Sequence, residues 1–386
     1  MAALEDRDET ATTAGAAFDP GRVDLDAFLL DLKALRRDVD ASLGDEDLAH
    51  LRKIENIGRF ATALGLATCW MAPNPLSVAA LSLGRSTRWL LMHHVGHRGY
   101  DKVPGVPARY TSKVFARGRR RFLDWADWMI PEAWIYEHNV LHHSHTGEDR
   151  DPDLIEQNTQ SLRESELPMP LRYAAMGLLA ATWRFSYYAP NTLRTWLDRH
   201  GKRGEDGDTE PSGDYARALW LRCYAPYAAM HFVFLPALFA PLGPVAAANA
   251  LANSLAAEAL TNVHTFCVVG PNHTGADLYR FTSKSSGKGE NMLRQVLGTA
   301  NYRCGSEFAD YAHLWLNYQI EHHLFPDLPM LKYRQIQPKV KALCEKHGIP
   351  YIQEGVFARV KKMLAVAVGR ASMQRSAGFA MRSAAE

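Results

Sequence analysis

A chain of 386 residues can hold two or three soluble domains or one polytopic membrane domain with soluble ends. Its 44 basic and 42 acidic residues leave a net charge of +2, so no nucleic-acid partner is expected. Five cysteines, Cys69, Cys223, Cys267, Cys304 and Cys344, are scattered, odd in number and without CxxC spacing, which argues against a disulfide framework or zinc-thiolate site.

In chain order, residues 1–50 are polar and acidic, lack the basic and apolar regions of a secretory signal, and read as a cytosolic N-terminal region. Residues 57–93 hold two apolar segments joined by "APNP" at 72–75, the layout of a helical hairpin. Arg85 and Arg88 weaken it as a membrane hairpin unless they snorkel to the interface. The stretch that follows is basic, with Arg98, Lys102, Arg109, Lys113, Arg117, Arg119, Arg120 and Arg121, which places it on the cytoplasmic side. Trp125, Trp128 and Trp134 fit an interfacial belt or the wall of an acyl tunnel. Residues 171–188 are apolar but carry Arg172 and Arg184, which suits a cap or interfacial helix, and residues 203–214 read as a flexible loop. From Cys223 to Ala257 no charged residue occurs, and "PLGP" at 241–244 divides the run into a second hairpin. Little period-two alternation is present, so the predicted fold is all-α and integral to the membrane, with four transmembrane helices in two hairpins and a cytosolic helical cap. A soluble helical enzyme with buried hairpins is the alternative.

Three histidine clusters lie at the edges of this architecture: "HHVGH" from His93, "HNVLHHSH" from His138, and "QIEHH" from Gln319. Histidines four apart on a helix share a face, so His93 with His97, and His138 with His142, can converge on one metal. The adjacent pairs His142–His143 and His322–His323 diverge by about 100°, which suits two neighbouring metals. All three clusters fall on one membrane face, and His264 is placed beside them at the cytoplasmic end of the fourth span. Imidazole suits iron, zinc, copper and nickel alike, so the ligand type does not name the metal. The acidic run 148–153 and Glu321 are candidates for carboxylates that orient the ligands, or for solvated groups. His231, inside the third span, reads as a core residue.

His93 and His97, then His138, His142 and His143, then Gln319, His322 and His323 resemble the three histidine boxes of the membrane fatty acid desaturase family over residues 81–351. The third, "NYQIEHHLFPDLP", is similar to that of acyl-lipid and front-end desaturases, in which glutamine replaces the first histidine. The resemblance implies a membrane domain at 51–351 with a cytosolic C-terminal tail at 352–386, multi-pass, its termini and active site cytoplasmic. It also implies two Fe ions with O2 as co-substrate, a fatty acyl lipid or acyl-thioester substrate, membrane lipid around it, and an external electron donor of ferredoxin or cytochrome type. The ligands it implies are His93, His97, His138, His142, His143, His322, His323 and His264, with Gln319 as weak ligand or hydrogen bonder. His94, His145 and His273 are further histidines beside the boxes, each a possible ligand or supporting group. No HPGG haem motif is present, so the donor is a separate protein. The reaction implied is removal of two vicinal hydrogens from an acyl chain. Hydroxylation of alkyl, sphingoid, sterol or carotenoid chains is the rival for the same site, and a membrane electron carrier with paired histidines is a rival of another class.

Overall fold

The computed structural model describes residues 18–200 and 213–376 and is mostly helical. Most of the expected loop at 203–214 and both chain ends lie outside the described residues. Helix α1, Leu25–Asp40, is followed by α2, Asp45–Thr68, and α3, Pro75–Gly96. Asn74 caps α3, its Oδ1 accepting from the Ser77 amide at 2.8 Å with Pro75 in the first turn, so "APNP" is the turn of the first hairpin. The two helices approach closely because glycines face side chains across the seam: a Cβ on Gly58 would collide with Thr87, and one on Gly84 with Thr62.

The second hairpin joins a helix at Tyr215–Leu242 to one at Pro244–Val269. Gly243 turns the chain at φ +107°, a conformation open to glycine, and Pro244 starts the next helix. Both hairpins are therefore present as helices. Among the described residues, one helix, Tyr215–Leu242, is long and apolar enough to cross a membrane by length and composition.

The other hairpin helices carry polar groups that the fold pairs internally. Glu258, mid-helix in Pro244–Val269, accepts from Arg184 at 2.7 Å, Trp128 Nε1 at 2.8 Å, Asn262 at 2.8 Å and Arg85 at 3.3 Å, and also from the Tyr227 hydroxyl. Arg85 does not snorkel; it is buried, and also donates to the Ser254 carbonyl and hydroxyl at 2.8 and 2.6 Å. The expected tryptophan belt is likewise corrected: Trp125, Trp128 and Trp134 are all buried, since their rings fill the space between the hairpins and the histidine-bearing helix.

Above the hairpins, the helix Met169–Trp183 continues through a π-wound turn, Arg184–Tyr188, into Ala189–His200 and packs on Pro244–Val269. The helices Lys288–Leu297 and Met330–Lys346 both pack on α1. Two short parallel strand pairs, Tyr279–Phe281 with Gln374–Ser376 and Asn301–Tyr302 with Gln353–Glu354, tie the segment beyond residue 352 to the rest. Its helix, Val356–Ala367, buries Arg359, Met363 and Val366. The described part of the assigned tail is thus packed structure.

Candidate metal centre

Four chain segments converge on one point. The end of α3 supplies His93 and His97, whose rings lie 4.9 Å apart on one face, as spacing by four dictates. The second cluster starts in the helix Pro131–Ile135, which passes into a π-wound stretch, Tyr136–His142, and ends in His143–His145. Wider winding at a functional site is a known use of π-turns, and here it brings His138, His142 and His143 inward together. The third segment is the short helix Gln319–Leu324, entered through Leu314 and Trp315, both in the left-handed region at φ +55° and +57°. Asn301 fixes its register by accepting from the Ile320 amide and donating to Glu321, each at 2.8 Å. The last segment is the turn Gly270–Asn272, which delivers His273.

Two groups of ligand atoms result. The nitrogens of His93, His97, His138 and His322 lie within 4.8 Å of one another, as do those of His142, His273 and His323. His143 stands between the groups, 4.4 Å ring to ring from His97, 4.9 Å from His322, and stacked 4.2 Å from His323. Asp153 shares a further grouping with His138 and His142.

The donors fit metal ions because they are buried and unspent. Both nitrogens of His138 and of His143, Nε2 of His97 and of His323, Nδ1 of His273 and Oε1 of Gln319 have no hydrogen-bond partner. So many orphaned polar atoms in one interior are costly unless something binds them. Burial, with neighbouring imidazoles second, pushes His138, His143 and His323 far below the usual histidine range, and His322 and His273 shift the same way, so these rings are neutral and carry lone pairs. His142 is the exception: burial opposes its charge, but Asp151 and Asp153 outweigh burial and raise its pKa.

Outer acceptors select the ring tautomers. Asp151 Oδ1 lies 2.8 Å from His142 Nδ1, Gln295 Oε1 lies 2.8 Å from His323 Nδ1, and the Tyr333 hydroxyl lies 3.1 Å from His322 Nδ1. Each holds a proton on Nδ1 and so turns the Nε2 lone pair toward the centre. The Gln319 amide lies 2.8 Å from His273 Nε2; with its oxygen turned to that nitrogen, the ring carries its proton on Nε2 and keeps the Nδ1 lone pair for a metal.

An apolar cavity opens against this centre. His93, His138, His142, His273 and Gln319 form its metal-side wall; Met176, Leu179, Trp183, Phe266 and Leu316 give much of the remainder, with Asp153, Asn158, Thr159 and Tyr187 as polar lining. Trp183 is fixed by donation to the Asn262 carbonyl at 2.9 Å.

The sequence matches the family profile described as Fatty acid desaturase over residues 68–355, a span holding all three histidine clusters. The chain belongs to the fatty acid desaturase family. It is 23% identical over 348 residues to the NADPH-dependent stearoyl-CoA 9-desaturase of Mycobacterium tuberculosis, covering 85% of this chain and 75% of that protein. It is 41% identical over 98 residues to Delta(8)-fatty-acid desaturase 2 of Arabidopsis thaliana, 25% of this chain and 20% of the relative. An acyl-lipid (9-3)-desaturase of Borago officinalis is 37% identical over 93 residues, 23% of this chain and 20% of the relative.

Against the ligand set implied by the family resemblance, the structure brings seven of the eight histidines together and leaves His264 apart. Its Nε2 lies 2.6 Å from the Ala312 carbonyl and its Nδ1 3.1 Å from the Ser86 hydroxyl, so both nitrogens are engaged. The physical reason is helix length: the fourth helix does not end near His264 but runs on to Val269, so the residue past its end that reaches the centre is His273. His94 turns toward the Leu314 carbonyl at 3.4 Å, and His145 sits outside with Glu148 and Arg150. Glu321 faces away, toward Asn301 and Tyr351. Gln295 and Tyr333 escaped sequence reasoning, since each lies on a helix outside the boxes.

Proposed function

We propose that this chain is an O2-dependent desaturase that introduces a double bond into a fatty acyl chain, carried as a thioester or in a lipid. The observation that carries the reading is the mainly apolar cavity ending on two adjoining groups of buried imidazoles, several of whose nitrogens have no hydrogen-bond partner. His93, His97, His138 and His322 would hold one iron, and His142, His273 and His323 the other, with His143 placed to serve either. Bound there, the iron pair supplies the activation of O2 that strips two vicinal hydrogens from an unactivated chain.

The protein's own residues do the remaining work. Met176, Leu179, Trp183 and Phe266 offer an alkyl segment apolar contact, which suits a substrate with no polar handle at the reacting carbons. The same wall excludes water from the reacting edge. Asp151, Gln295 and Tyr333 keep the rings in the tautomer that faces the irons. The relatives named for stearoyl-CoA and acyl-lipid substrates support the substrate class.

In this reading both hairpins cross the bilayer, giving four spans, with the cap, the metal centre and the chain ends in the cytosol, and two electrons per turnover come from an external donor. The apolar Tyr215–Leu242 helix and the pairing of Arg85 with Glu258 inside the bundle support the membrane placement. Filling the cavity with Leu179→Trp tests the reading: iron content should stay at the wild-type value while turnover of long acyl chains falls at least about tenfold. Undiminished turnover would place the substrate elsewhere.

A further inference from the structure

Removing two hydrogens from a –CH2–CH2– unit while O2 becomes two waters takes two electrons and two protons from outside. In the desaturase reading an external donor supplies the electrons, and such a donor needs a docking surface. The basic stretch 113–121 is the obvious candidate by sequence, but the fold spends much of its charge: Arg120 pairs with Asp124 at 2.8 Å, Arg117 lies 3.6 Å from Glu132, and Arg121 donates to the carbonyls of Arg222 and Met129.

A different surface has both unspent charge and a route inward. Cys304, Tyr318, Gln337, Lys341, Glu345 and an Arg334 that lies 3.6 Å from Asp310 are among the residues lining a polar surface pocket along the helix Met330–Lys346. Lys339 lies beside it on that helix, and Arg303 lies on the chain that leads into it. Arg303, Lys339 and Lys341 are exposed and make no ion pair among the described residues. From the pocket, Gln337 Nε2 donates to the Tyr351 hydroxyl at 3.1 Å, and Tyr351 donates to Glu321 Oε1 at 2.7 Å. Asn301 braces both, bonding Tyr351 at 2.6 Å and Glu321 at 2.8 Å. Glu321 is one peptide unit from His322, so hydrogen bonds and short covalent segments connect the pocket to a candidate iron ligand. The acyl cavity shares no lining residue with this pocket, so a docked protein and a bound chain need not compete.

We propose that this pocket and its rim of Arg303, Lys339 and Lys341 dock an acidic one-electron carrier protein, which delivers the two electrons in two encounters. The proposal rests on the desaturase reading for its purpose, and on charge complementarity and the bonded route for its place.

The test is a binding titration of an acidic plant-type ferredoxin onto the full-length, iron-loaded protein at low ionic strength, together with turnover driven by dithionite, which needs no docking. In the triple variant Arg303→Glu, Lys339→Glu, Lys341→Glu, the Kd for ferredoxin rises at least about tenfold, and the difference shrinks as salt is added. Dithionite-driven turnover stays unchanged. The pair Lys113→Glu, Arg119→Glu leaves the Kd at its wild-type value. An unchanged Kd in the triple variant, an equal rise in the loop pair, or absence of ferredoxin binding to the wild type overturns the docking site. Loss of dithionite-driven turnover in the wild type, with the binding difference intact, would count against the desaturase reading and leave the docking surface standing.

Discussion

Asp151→Asn isolates the contribution of one carboxylate that touches no metal. Its side chain is 2% exposed. Oδ1 accepts from His142 Nδ1 at 2.8 Å and from the Asp153 amide at 2.9 Å, while Oδ2 accepts from the Gly147 amide at 2.9 Å. An asparagine has one oxygen for these two sides. If it stays on His142, its NH2 faces the Gly147 N–H, donor against donor, and the buried amide left unpaired costs about 1–3 kcal/mol of stability. Loss of the charge behind the imidazole weakens the metal held by His142 by about 10–100-fold, which is about 1.4–2.8 kcal/mol. Competition against a graded chelator, read as iron per chain, should therefore show one of the two irons leaving early in the variant and the other holding as in the wild type. Chelator curves and melting temperatures indistinguishable from wild type would refute the claim that Asp151 orients a ligand.

Three further outcomes follow from the geometry. His273→Ala should lose iron and activity, whereas His264→Ala should keep both and lose only about 1–2 kcal/mol of stability with its two hydrogen bonds; the reverse pattern, read by metal analysis, would restore His264 to the site. Glu258→Ala leaves Arg184 and Arg85 without their shared buried partner and should destabilise the protein by about 3–5 kcal/mol in thermal unfolding, and an unchanged melting temperature would refute that pairing. In the metal-free protein, His138, His143, His273, His322 and His323 have folded-state pKa values held below their unfolded ones by burial. Their stabilising effect is complete above the unfolded value near about 6.5 and is lost as pH falls below it, by up to about 1.4 kcal/mol per pH unit for each ring. A melting temperature flat from neutral to mildly acid pH would contradict this.

The first cluster was legible because helical spacing by four is a local rule: His93 with His97 needed only a helix to share a face, whereas His138 and His142 sit in the π-wound stretch and fall into different main ligand groups. His273 was not, since its role depends on where the fourth helix stops, and a charge-free run marks apolar length without marking a helix end. The π-wound turn that brings both His142 and His143 inward leaves no pattern in composition. Gln295 and Tyr333 reach the site only after their helices pack, which no spacing encodes. The turns "APNP" and "PLGP" located both hairpins, because proline and glycine act through the backbone alone. Arg85 pointed the other way: read singly it weakened the membrane hairpin, and its partners Ser254 and Glu258 lie far along the chain.

The most direct test of the central claim is a mass-spectrometric profile of acyl chains from an aerated host making the wild type, set against one making His143→Ala, whose ring stands between the two ligand groups. The account predicts acyl chains lighter by two hydrogens with the wild type and none with the variant. Chains heavier by one oxygen, or the same new double bonds from both proteins, would contradict it.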